Sequence, residues 1–472
     1  MAPWSDSPVP PAVWERPDVR DALAARDWGA VFRIVRRCTG MSQSRLGALV
    51  DMPQSRVSTV ESGGHQVEKL DVIVRIAESL KMTSSARRII GLADIDDARP
   101  VSEYDLAAGF SAAYSWEDHI DVAGALWRDD MNRRTFLVRA NYAAQVSTAA
   151  AFFWTAGLGH ERERISKTGS REVGPADVEA IEEMIGAFRR NESRFGGARI
   201  RPTFVHFLGH DVEPLLKDGS YNDEVGRRLF SVVADGLLLA AWMAYDIEQN
   251  GLAQQYFVAA LHLAHDGSNN ALAGEVMAAM AHQSLHMGNP REAINLSRSA
   301  QEAARKSGVG ALLSECCLLE ANGLAMLGEE KPSIIALRRA ETALDRADRT
   351  SEPTWMSFYD SSYLAARSAR CFRDLGRLSD AEPLAYASLK MDPHYTRGRS
   401  FNLALLASIK AGRGDVGGAC AIGVEAIDLM STVRSSRSRR YVEEINRALR
   451  PVGRSAATDE YRRVARQILA PT

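Results

Sequence analysis

Few residues in this chain are arranged to make or break covalent bonds. There is no G-x-S-x-G nucleophile turn, no phosphate-cradling P-loop, no dinucleotide-binding glycine fingerprint and no convincing carboxylate pair. Catalysis is therefore not expected and no cofactor is implied. His282 and His286 are four residues apart, as are His206 and His210. That spacing puts two imidazoles on one helix face, but without a nearby cysteine or an H-E-x-x-H pattern no metal site is expected. Hydrogen-bonding and charged groups are better organised. Between Arg33 and Arg56 stand five arginines, Arg33, Arg36, Arg37, Arg45 and Arg56, against one acid, Asp51. Interleaved with them are Gln43, Gln54, Ser55, Ser58 and Thr59. Guanidinium groups draw in phosphates, a glutamine amide matches the N6/N7 edge of adenine, and serine and threonine hydroxyls accept several base edges. Arg56 suits a phosphate or a guanine. Such groups can meet the phosphates and base edges of duplex DNA if they share one face.

To meet a duplex, these groups must be held on one face. Val31, Phe32, Ile34 and Val35 form an apolar stripe between Trp28 and Cys38, and Gly40 stops that helix. Ser42 can cap a second helix running through Leu46, Leu49 and Val50. A short third helix is expected to start at Pro53, bury Val57 and Val60 and end at Glu61-Ser62-Gly63-Gly64. Leu70, Ile73, Val74, Ile76, Ala77 and Leu80 mark a fourth. Two short helices joined by a tight turn can place the second in a major groove.

The strings Ser42-Gln43-x-x-Leu46, Val57-Ser58-x-x-Glu61-x-Gly63 and Ile76-Ala77-x-x-Leu80, with Leu70, resemble the XRE/phage-repressor class of helix-turn-helix domains. The domain is assigned residues 23–92, behind an extended, proline-rich arm of residues 1–22. The resemblance implies that Gln43 bonds a backbone phosphate, that Gln54, Ser55, Ser58 and Thr59 meet base edges, and that Arg36 pairs with Glu61. Asp51 stands where the class usually has glycine in the turn, and aspartate tolerates a left-handed backbone better than most residues. One such domain makes a small interface, so a homodimer on two half-sites is expected, held together by the rest of the chain.

That remainder carries a register of about 40 residues, the mark of stacked helical pairs. Small residues define it. Ala241, Ala281, Ala321, Ala369 and Ala407 share one position. Ala253, Ala293, Ser333, Ala381 and Ala419 share a second, and Ala260, Ala300, Ala340, Ser388 and Ala426 a third. Gly288, Gly328, Gly376 and Gly414 fall at the turns. Antiparallel helices cross closely only where side chains are small. From Asp235 to Ser431, including Met391-Asp392-Pro393, the pattern resembles tetratricopeptide repeats stretched beyond the usual ~34 residues. The resemblance implies a right-handed α-solenoid over residues 221–435, whose concave surface shows Asp235, Trp242, Tyr245, Asp246, Glu275, His282, His286, Glu315, Asn322, Tyr363, Arg370 and Arg373. Aromatics, amides and opposite charges in one groove suit an extended peptide or a small-molecule effector. Asn322 is the expected backbone clamp. The competing expectation is that these side chains pack between helices or hold the protein's own segments.

The fold class is all-α. Residues 93–220 are expected to form a helical connecting region (136–154, 176–190 and 201–216), and residues 436–472 a pair of capping helices. Hydrophobic residues make up 46% of the 472 and charged residues 25%, too apolar for a disordered chain. The net charge of −2 means that any affinity for DNA is local. Five cysteines without a C-x-x-C pair read as reduced, buried thiols in a cytosol. Apolar runs such as 237–244 fall short of a bilayer span. Arg133-Arg134-Thr135-Phe136-Leu137 resembles a twin-arginine export signal but lies mid-chain, where such a signal does not operate. The architecture resembles peptide-responsive regulators of the RRNPP group and helix-turn-helix/repeat regulators common in actinobacteria, and the Ala- and Arg-rich composition suits a high-GC genome. The expectation is a cytoplasmic, nucleoid-associated transcription regulator. The alternative is a repeat adaptor that binds a partner protein and uses the N-terminal domain for docking.

Overall fold

A computed structural model describes residues 8–14, 16–24, 27–64, 67, 70–83, 86, 115–131, 142–157, 164–392, 395–432 and 437–469. The twin-arginine look-alike and Pro393 lie outside these residues. Nearly everything described is helical, as expected of an all-α chain. The exception is a pair of two-residue parallel strands, β1 (Arg171–Glu172) and β2 (Gly219–Ser220), too short to leave an alternating pattern in sequence. The chain divides after Asp105 into two compact units.

The first unit holds α1 (Pro11–Trp14), α2 (Pro17–Ala24), α3 (Trp28–Thr39), α4 (Gln43–Leu49), α5 (Gln54–Glu61) and α6 (Leu70–Ser79). The expected extended arm is a correction. Val9, Val13, Trp14, Val19 and Leu23 are buried in the same core as Phe32 and Val35. Pro11 and Pro17 open helices, because proline at a first helical position gives up an N–H that would be unpaired anyway. Elsewhere the local signals hold. Ser42 Oγ accepts from Arg45 N, capping α4, and Gly40 ends α3 at φ +71°. Asp51 stands at φ +52° in the α4–α5 turn. Pro53 caps α5 rather than entering it. Cys38 is exposed, against expectation, while the other four cysteines are buried.

The second unit begins with α7 (Trp116–Met131), α8 (Ala144–Gly157), α9 (Pro175–Phe195), α10 (Gly197–Phe207) and α11 (Glu213–Lys217), the last two joined by a π-helical turn. These are not a separate connector. Helices α7 to α10 pack on α12 (Asp223–Asp246), α13 (Asn250–Asp266) and α15 (Pro290–Ser307). The remaining helices are α14 (Asn270–His286), α16 (Gly310–Met326), α17 (Glu330–Asp345), α18 (Ser361–Asp374), α19 (Leu378–Ser388), α20 (Thr396–Gly412), α21 (Val416–Thr432), α22 (Ser438–Leu449) and α23 (Ala456–Leu469). They pack as consecutive pairs, α12 with α13 through α20 with α21, and each position of the small-residue register is fully buried. At the turns Gly328 and its equivalents adopt φ near +76°, and Glu248 holds the corresponding place in the first pair at φ +60°. The Asp223–Asp246 helix is long and apolar enough to cross a bilayer, a length that a reading of its 237–244 run alone missed. Most of its apolar stretch is covered by neighbouring helices of the unit.

Candidate functional site

In the first unit, α5 turns Val57 and Val60 inward and leaves Gln54, Ser55, Arg56 and Thr59 exposed, with Ser58 half-buried. Behind it runs a chain of side-chain bonds. Arg36 Nη1 donates to both carboxylate oxygens of Glu61, at 2.9 and 2.8 Å, the pairing that the sequence resemblance implied. Arg33 donates to the Glu61 carbonyl, so α3 grips the end of α5 through two guanidinium groups. Gln43 Nε2 donates to Glu61 Oε2 at 2.6 Å, and its Oε1 accepts from Gln54 Nε2 at 2.7 Å. Gln43 is thus half-buried and mostly committed to its own protein, with one N–H left for a phosphate. Gln54 keeps its carbonyl oxygen and one N–H, an acceptor and a donor side by side. Thr59 Oγ1 returns to the Ser55 carbonyl at 2.8 Å, leaving it a methyl and a lone pair to present.

The second unit brings part of the expected groove together and covers it with its own chain. Tyr245, His282, His286, Asn322, Arg370 and Arg373 line a cavity of about 510 Å³. The far wall is α22, which supplies Arg440, Tyr441, Glu444 and Arg447. This helix is not merely a cap on the end of the stack. Arg370 and Arg373 bond Glu444 at 3.1 and 2.9 Å, Arg437, which caps the start of the helix, bonds Asp246 at 2.9 Å, and Arg440 reaches the His286 carbonyl. Tyr441 stacks on Phe401 with centroids 4.2 Å apart. Burial pulls the Glu444 carboxyl up, but the arginines pull it further down, to about 2, so it stands ionised. Burial, with Arg440 beside it, pushes His286 down to about 3, and burial with Arg367 lowers His282 well below the usual imidazole range. Both rings are neutral.

The other expected groove residues lie deeper or aside. Asp235 pairs with Arg189, Trp242 packs edge-on against Phe257, and Tyr363 lies under the Arg367 guanidinium. Asn322, although it lines the cavity, is buried; its Nδ2 donates to the Arg367 carbonyl at 3.2 Å and to Cys371 Sγ at 2.6 Å, so its amide nitrogen is spent internally rather than clamping a peptide. Glu275 and Glu315 are buried and hydrogen-bonded to each other. Burial raises both, Glu315 to about 7 and Glu275 well above the usual carboxylate range, because two touching carboxylates in an apolar setting cannot both ionise. This carboxyl pair went unnoticed in the sequence although its members are one register apart.

Sequence reasoning also missed Arg367 and the contribution of α22. The register itself held a signal. His282, Asn322, Arg370 and Ser408 each follow a small register residue directly, and all four line the cavity. The α22 residues had no such signal, since their partners lie up to 154 positions away. His206 and His210 stack at 5.3 Å, and no cluster able to hold a metal ion occurs among the described residues. In comparisons with known proteins, no family model and no curated protein matches the chain.

Proposed function

We propose that the chain is a DNA-binding transcription regulator. Its N-terminal unit acts as a helix-turn-helix of XRE type, and its second unit, a tetratricopeptide-like solenoid, dimerises and senses an effector. The observation that carries the reading is α5, whose polar side faces solvent while Arg33 and Arg36 of α3 bind its end. Gln43 and Glu61 hold Gln54 in one orientation, which lowers the entropy cost of reading a base. Gln54 then presents the acceptor and donor that adenine N6/N7 requires.

Gel shifts on duplexes selected from a random pool test this. Gln54→Ala is expected to cost about 1–3 kcal/mol at one base position and relax the preference there. Arg56→Ala is expected to weaken all duplexes alike and lower the salt slope by about 1. A parent protein that selects no sequence even at low salt would overturn the reading. The groove side chains that an adaptor would offer a partner are taken up by α22 or buried, so the structure lends the adaptor alternative less support.

A further inference from the structure

We propose that the cavity between α14, α16, α18 and α22 binds a small organic anion, whose carboxylate or phosphate seats on Arg367. The proposal deepens the sensing part of the reading above by naming the chemical class of the effector. Arg367 lines the cavity and is only 9% exposed, yet its Nε and Nη2 have no hydrogen-bond partner. These two donors form the side-on fork that takes a carboxylate or phosphate in bidentate fashion. Arg437 spends the same fork on Asp246. No internal acid takes up this fork: Glu444 is held by Arg370 and Arg373, and Glu315, although it feels the Arg367 charge, bonds Tyr363 and Glu275.

Two further groups in the cavity wall are unpartnered. Asn322 Oδ1 is buried without a donor, and its orientation is fixed by the two bonds its Nδ2 makes. His282 Nδ1 is likewise buried and unbonded. Buried polar atoms in folded proteins are nearly always satisfied, so an acceptor and a guanidinium fork left unpaired within the wall of one cavity call for a ligand with an anionic group and an adjacent N–H or O–H. The wall carries Arg367, Arg370, Arg373, Arg440 and Arg447 against Asp374 and Glu444, an excess of positive charge. A volume of about 510 Å³ lies within the range of small-molecule sites. Hydroxy- or amino-carboxylates and sugar phosphates have this chemistry.

Calorimetry and thermal denaturation of the full chain with citrate, glutamate and glucose 6-phosphate, against sodium chloride at matched ionic strength, test the proposal. At least one is expected to bind saturably, one per chain, and raise the melting temperature beyond the salt control. Carboxylate-only or phosphate-only binding identifies the class of ligand. Arg367→Met is expected to abolish binding with only a small change in the ligand-free melting temperature, because the guanidinium rests on Tyr363 and near Glu315 but its fork makes no hydrogen bond. Arg367→Lys, which keeps the charge and loses the fork, is expected to bind about tenfold more weakly. Glu444→Gln, which removes a negative charge from the wall, is expected to bind more tightly. No saturable binding by any of the three compounds, or equal binding by parent and Arg367→Lys, would overturn the proposal. These measurements contain no DNA, so their failure would leave operator recognition standing, and a failed gel shift would leave the anion site standing.

Discussion

Glu61 is the acceptor on which three side chains of the first unit converge. Arg36 and Gln43 bond its carboxylate and Arg33 its carbonyl, and Gln54 depends on Gln43 for its direction. Glu61→Ala would leave a half-buried guanidinium and an amide without their acceptor, at a cost of about 1–3 kcal/mol. Amide hydrogen exchange is expected to show lost protection along α3 and α5, with unchanged protection in the second unit. Part of this chain could be read in sequence, since the resemblance to helix-turn-helix domains implied the Arg36–Glu61 pair, but the commitment of Gln43 depends on the approach of two helix starts and could not. At the Glu275–Glu315 pair the sign of the pH effect is set by raised carboxyl pKa values. The folded state binds protons that the unfolded state has released above about pH 4.5. The contribution is present below that pH and is lost as pH rises through about 7. The melting temperature of the parent relative to Glu315→Gln is therefore expected to fall between about pH 5 and pH 8. A flat difference across that range would show that the pair does not titrate there.

Among the elements, the helical pairs were the most legible part of the chain. Ala281, Ala321 and Ala369 fall where backbones cross, and a small side chain is a local requirement visible in one sequence. Ala321→Leu is expected to destabilise the second unit by about 1–3 kcal/mol through overpacking, measured by denaturant unfolding. Glu248 is the exception at the turns: it stands left-handed where the later pairs have glycine. Glu248→Gly is expected to stabilise by roughly 1 kcal/mol through relief of that conformation. What could not be read was α22. Its pattern shows an amphipathic helix, but not that Arg437 would meet Asp246 or Glu444 would meet Arg370, because such contacts follow from the curvature summed over several pairs. Asp246→Ala would leave the buried Arg437 unpaired, at about 3–5 kcal/mol, and exchange along α22 is expected to quicken first.

At the scale of the whole molecule, a net charge of −2 divides unevenly, and the basic stretch from Arg33 to Arg56 belongs entirely to the first unit. Affinity for duplexes is therefore expected to fall steeply with salt despite an acidic balance over the chain. Dimerisation, which paired half-sites require, is expected to appear in sedimentation as twice the chain mass, with or without DNA. The distribution of thiols supplies a way to follow such an assembly. Only Cys38, on α3, meets solvent, while Cys316, Cys317, Cys371 and Cys420 are shielded. A maleimide fluorophore should thus attach once per native chain and at all five cysteines after denaturation. A mixture of donor- and acceptor-labelled copies would then report, through energy transfer, whether citrate moves the two N-terminal heads apart or together.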